Sequence, residues 1–107
     1  AALTGQAGPA MDDVWAALAI AESLQSPPLR LEALIGAGFV LVHGGARDDG
    51  LALLHWALAQ PECTASERRE TQRRLERQGL GSRPTSPLPA DAGVEAAVAL
   101  LRRAASP

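Results

Sequence analysis

Residues 34–61, LIGAGFVLVHGGARDDGLALLHWALAQP, decide the fold. Leu34, Ile35, Phe39, Val40, Leu41 and Val42 crowd one segment so fully that no polar face is left. A helix that is apolar nearly all round belongs in the centre of a domain, and Leu29 and Leu31 extend it back to about residue 28. Gly44-Gly45 stops it near residue 43, since glycine accepts the left-handed turn that ends many helices. Asp48 and Asp49 then open a second helix where its dipole is positive. Leu51, Leu54 and Leu58 lie along one side of that helix and Leu53 and Ala57 along the next, to about residue 60, where Pro61 ends it. The stretch therefore predicts a helical hairpin.

Upstream, Ser26-Pro27 pairs an N-cap residue with a proline at the first helical position. Before it, Pro9, Asp12 and Asp13 mark another helix start, and Met11, Val14, Trp15, Leu18 and Ala21 recur at helical spacing to about residue 24. Residues 1–8 read as a flexible lead. Downstream, Thr64 and Glu67 form a capping box that predicts a fourth helix over 65–78. Leu75 is its only apolar residue after Glu67. It should face solvent and be held by i,i+4 pairs such as Glu70 with Arg74. Gly79 and Gly81 close it, residues 82–89 (SRPTSPLP) form a stiff connector, and the segment 90–107 packs a fifth helix on the same domain. That helix, about 91–105, has Val94, Ala97, Val98 and Leu101 as its stripe.

Composition agrees. Among 107 residues there are 22 Ala, 16 Leu, ten Arg, no Lys and no Tyr. Ala, Leu, Arg and Glu favour helix, whereas the β-branched and aromatic residues of strands are scarce. An all-β fold is excluded and an all-α domain expected. A net charge of −2 creates no general demand for nucleic acid or an anionic membrane. No stretch approaches the ~20 apolar residues of a membrane span. The single Cys63 cannot form an internal disulfide, which points to a reducing, cytoplasmic setting. A chain opening on Ala1 rather than Met is expected to be a piece of a longer protein.

The strings WAALAIAESL, LALLHWALAQP and AAVALLRRAASP repeat an Ala-Leu helix followed by a turn. Aligning Ala21, Ala57 and Ala104 gives spacings of 36 and 47, the first near the period of helical-hairpin repeats. On these residues the chain resembles the tetratricopeptide (TPR) family. Residues 34–61 lie on one TPR unit almost without a gap. Gly38 takes the small position where paired helices touch, with Leu34, Ala37 and Leu41 around it. Gly45 falls at the turn, Gly50 at the small position early in the second helix, and Leu54 and Ala57 at a large and a small one. Leu34 departs from the usual aromatic, Gly50 from the usual Ala, and Pro61 ends the unit one residue early. The wider stretch 51–80 resembles the tails of TPR regions in large bacterial signalling ATPases and multi-domain transcriptional regulators. The resemblance implies antiparallel helical hairpins over 9–81, about two and a half of them. That is short for a free-standing solenoid, so self-association through an uncovered end, or contact with other domains of a parent protein, is also expected.

Candidate chemistry is sparse. His43, His55 and Cys63 are the only soft ligands, spaced by 12 and 8 residues, unlike the short local pairs of metal sites. Both histidines read as structural, and Cys63 lacks an orienting acid. No glycine-rich phosphate loop or nucleophile elbow is present. Neither a catalytic residue nor a cofactor is expected. Residues 64–83 hold six Arg and three Glu, and Arg69, Arg73 and Arg77 form a stripe on the fourth helix. A solvated face is the plain reading, a polar rim to a binding site the functional one. A nucleic-acid-binding helical domain contacting phosphates through this stripe is the alternative, disfavoured because no aromatic side chain flanks it. The resemblance further implies that a protein or peptide partner lies along one face of the central helix, on Glu32, Ile35, Phe39, Val42 and His43, unless another helix covers it. The expected function is a non-catalytic protein-interaction or regulatory module.

Overall fold

A computed structural model describes residues 7–105. These form five α-helices and no strand: α1 (Ala7–Ser23), α2 (Pro27–His43), α3 (Arg47–Leu58), α4 (Ala65–Arg77) and α5 (Val94–Ala105). The chain is all-α, as its composition implies. Most of the expected lead, residues 1–6, lies outside the described residues, but Ala7 and Gly8 already belong to α1.

α2 is the hub. It packs along α1 on one flank and α3 on the other, and α5 closes over α3 and the start of α2. Its buried residues Leu31, Leu34, Ile35, Ala37, Phe39 and Leu41 look in several directions, which is why its sequence carries no polar face. The Ser26 hydroxyl accepts the Leu29 amide at 3.3 Å and starts the helix. Three of the helix ends share one closing device. The amides of Ser26, Ala46 and Leu80 donate to the carbonyls of Ala21, Leu41 and Leu75 across left-handed residues Gln25, Gly45 and Gly79, a pattern that satisfies carbonyls the helix itself leaves open.

The hairpin of α2 and α3 is held at its closest point by two glycines. A Cβ on Gly38 would stand 2.5 Å from Leu54 Cγ. One on Gly50 would stand 2.6 Å from the Gly38 carbonyl oxygen and 2.8 Å from the Val42 backbone nitrogen. The two backbones are thus nearly in contact, and Leu34, Leu41, Leu53, Leu54, Trp56 and Leu101 fill the space beside them, all fully buried. Each such side chain contributes about 1.5–3 kcal/mol by leaving water.

α4 is attached differently from expectation. Glu70 and Arg74 form no ion pair among the described residues. Arg74 instead lies over the Phe39 ring, 3.8 Å from its centroid, and His43 Nε2 and Gln78 Oε1 are 2.7 Å apart. Arg68 donates to the carbonyls of Leu58 at 3.0 Å and Cys63 at 3.2 Å, so it caps the open end of α3. Guanidinium groups and two buried residues, Thr71 and Leu75, hold a helix with almost no apolar stripe.

The connector is strapped to α3. Asp48 accepts hydrogen bonds from the backbone amides of Thr85 and Ser86. The Trp56 indole donates to the Ala92 carbonyl at 2.9 Å, and the Gln60 amide to that of Ala90 at 3.0 Å. These bonds take carbonyls that a helix starting near residue 91 would need for itself, so α5 begins at Val94, three residues later than its sequence suggests. The Thr85 amide, the largest influence, holds the Asp48 carboxyl below its ordinary range, with burial working in the opposite sense and Ser86 reinforcing the lowering. A depressed folded-state value stabilises the strap fully above the unfolded carboxyl's pKa, and that stabilisation is lost as pH falls through the folded one. The Thr85 and Ser86 amide shifts should therefore stay constant near neutrality and titrate together on the acid side of an ordinary aspartate. Titration at or above the ordinary value would mean that the strap does not form.

Candidate functional site

The central-helix face expected to receive a partner is not open. Phe39 is 2 % exposed and Ile35 8 %, and Arg74 of α4 covers the Phe39 ring. Val42 is half-buried and packs at the Gly50 contact. His43 is exposed but engaged with Gln78. Glu32 is exposed on another flank of α2. These five residues do not form one surface: three belong to the packing of α2 against its neighbours, and the cover of Phe39 is Arg74 of α4, a helix with no apolar stripe to suggest it lies over an aromatic ring.

The exposed apolar surface lies elsewhere. Among the described residues the exposed large hydrophobic side chains are Ile20, Leu24 and Leu29, all near the turn between α1 and α2. Ile20 and Leu29 stand at one end of a groove of ≈ 340 Å³ that runs between these two helices, with Ala17, Ala33 and Gly36 along its bottom. A Cβ built on Gly36 would meet nothing within 4 Å, so the floor is open to solvent. Asp13 and Glu32 stand at the edges. Both are exposed, and neither has an ion-pair partner among the described residues. The nearby Arg30 is paired with Glu22 at 3.6 Å. The sequence holds one trace of this groove. Ile20 and Leu24, four apart, lie off the stripe that buries Met11, Val14 and Ala21.

The arginines of α4 divide by role. Arg68 and Arg74 are bound into the packing, whereas Arg69, Arg73 and Arg77 are exposed and carry no ion pair among the described residues. The expected stripe therefore exists as a solvent-facing row. It stands away from the groove, which has no arginine in its lining, so it does not form that groove's rim.

The soft ligands are dispersed. Among the described residues no group of three or more His, Cys, Asp or Glu could hold a metal ion. Cys63 is buried, and desolvation pushes its thiol upward, offset in part by Arg68. Such a thiol stays protonated at neutral pH and is a poor nucleophile. His55 Nε2 is buried without a hydrogen-bond partner on the side of α3 that faces Gln72 and Leu75. No helix of the described residues is long and apolar enough to cross a membrane. No family model, curated protein or solved structure matches the chain.

Proposed function

We propose that the chain is a non-catalytic protein-interaction module of TPR-like helical hairpins, and that it works through the α1–α2 groove. One observation carries this reading: two of the three exposed large apolar side chains, Ile20 and Leu29, line one concave surface with an open floor, and the third, Leu24, lies in the turn beside it. Single exposed hydrophobes need no explanation, but a cluster lining a groove marks a surface that another chain can cover. The close approach of α2 and α3 at Gly38 and Gly50 supports the helical-hairpin part of the reading, because it falls where the TPR resemblance placed small residues. A regulatory role within a larger bacterial signalling protein follows from that resemblance alone. Contact with phosphates through Arg69, Arg73 and Arg77 is the second reading, favoured by the exposure of all three.

The test is a titration of the isotope-labelled chain with a panel of synthetic helical peptides, each carrying one leucine stripe. The expected result is amide shift changes confined to Val14, Ala17, Ala33, Gly36 and their neighbours, with the α4 stripe unaffected. No change with any peptide of the panel would overturn the interaction reading. Changes at Arg69, Arg73 and Arg77 on adding duplex DNA, weakening steeply with salt, would favour the second.

A further inference from the structure

We infer that the occupant of the α1–α2 groove is an amphipathic helix with a basic polar face, contributed by another protein. This rests on the interaction reading above and adds the chemistry of the partner.

The shape selects a helix. The described residues contain no strand, so there is no sheet edge on which an extended peptide could build its hydrogen bonds. The groove is lined on α1 from Asp13 to Ala21, about 12 Å at 1.5 Å per residue. That matches roughly two turns of a partner helix, whose residues at i, i+3 or i+4, and i+7 would meet Ile20 and Leu29 at one end and Gly36 at the other. The open floor at Gly36 lets the partner backbone come close.

Charge selects the polar face. Asp13 on one bank and Glu32 on the other are the only charged side chains of the lining, and Arg30, next to Leu29 in sequence, is paired with Glu22. A helix with Lys or Arg beside its apolar stripe would place cations at both banks, whereas an acidic helix would be repelled.

Charge also argues against a second copy of this chain. A symmetric dimer through the groove would bring Asp13 and Glu32 of both copies together, since a two-fold interface uses the same patch twice. The Arg69–Arg73–Arg77 stripe has the right charge. It cannot fill the groove, because outside Ile20, Leu24 and Leu29 no large apolar side chain of the described residues is exposed.

The experiment compares two peptides with one leucine stripe, one with a Lys/Arg polar face and the other with Glu, binding to the full chain. The basic peptide is expected to bind about tenfold tighter, the effect of two exposed ion pairs at under 1 kcal/mol each, and the gap should shrink with added salt. Asp13→Lys with Glu32→Lys should reverse the preference. Asp91→Lys, an equal type of charge change at an exposed site away from the groove, should leave the preference standing. Gly36→Leu, whose Cβ meets nothing within 4 Å, should abolish binding of both peptides at a melting temperature no lower than the parent's. Equal affinities, or a preference moved as far by Asp91→Lys as by the double variant, would overturn the basic-helix assignment. If Gly36→Leu still blocked binding in that case, the interaction reading would survive. Failure of both peptides to bind would remove the two together. Self-association abolished by Ile20→Glu would make a second copy the occupant and overturn the assignment.

Discussion

Gly50→Ala is expected to destabilise the domain by about 2–4 kcal/mol, although alanine is worth about 1 kcal/mol more than glycine inside a helix. The new methyl group would stand 2.6 Å from the Gly38 carbonyl oxygen, 2.6 Å from Val42 Cγ2 and 2.8 Å from the Val42 nitrogen. Two of these three atoms are backbone, so no rotamer change relieves the clash. Relief requires α3 to move away from α2, opening the space that Leu34, Leu41, Leu53 and Leu54 fill. Gly36→Ala provides the matched control. It lies in the helix next to α3 and meets nothing within 4 Å, so the same substitution there should stabilise by about 0.5–1 kcal/mol. Urea unfolding of the two variants gives both signs. Equal behaviour of the two, or a Gly50→Ala variant as stable as the parent, would show that the backbones do not touch.

Trp56→Ala should be at least as severe, at about 3–5 kcal/mol for the loss of a large buried aromatic. Trp56 is 2 % exposed in the last turn of α3, and its indole N–H reaches the Ala92 carbonyl just before α5. It therefore fills the core and fastens the end of the connector at once. Trp56→Phe separates the two roles. It retains most of the apolar volume but leaves the Ala92 carbonyl without its donor, for a cost of about 1 kcal/mol. The readout is chemical unfolding together with the amide exchange rates of α5. In Trp56→Phe, exchange in α5 should rise more than exchange in α2. A uniform rise across the molecule would mean that the indole does not fasten the connector.

Most of the fold was legible because its signals were local. The Ser26 cap, the Gly45 and Gly79 turns and the Thr64–Glu67 capping box each fix a helix end within a few residues, and the structure places the boundaries close to where those residues set them. The small residues Gly38 and Gly50 pointed to the tight contact between α2 and α3. What failed were statements about which helix covers which face. Phe39 looked like part of a free surface because α4, with so little apolar content, offered no stripe to lay on it. The attachment runs through the Arg74 guanidinium on the Phe39 ring and the contact of His43 with Gln78, interactions with no periodicity to detect. Leu29 read as one more residue of the apolar central helix, and Ile20 and Leu24 drew no reading at all. The exposure of all three depends on what does not pack against α1, which a single sequence does not encode. The start of α5 was misplaced for a related reason: carbonyls near residue 91 are claimed from far along the chain by Trp56 and Gln60.

The strapped connector also bears on the order in which the molecule assembles. α1 with α2, and α2 with α3, are neighbours in sequence joined by turns of three residues, so their pairing closes short loops and belongs to the fast, local part of folding. α5 is different, since it must return to α3 across the whole of α4 and the connector. That closure is the slow, entropically costly step. Each contact made on the way, first at Asp48 and then at Gln60 and Trp56, shortens the free chain still to be closed, so the connector can dock progressively and deliver α5 to its place at the end.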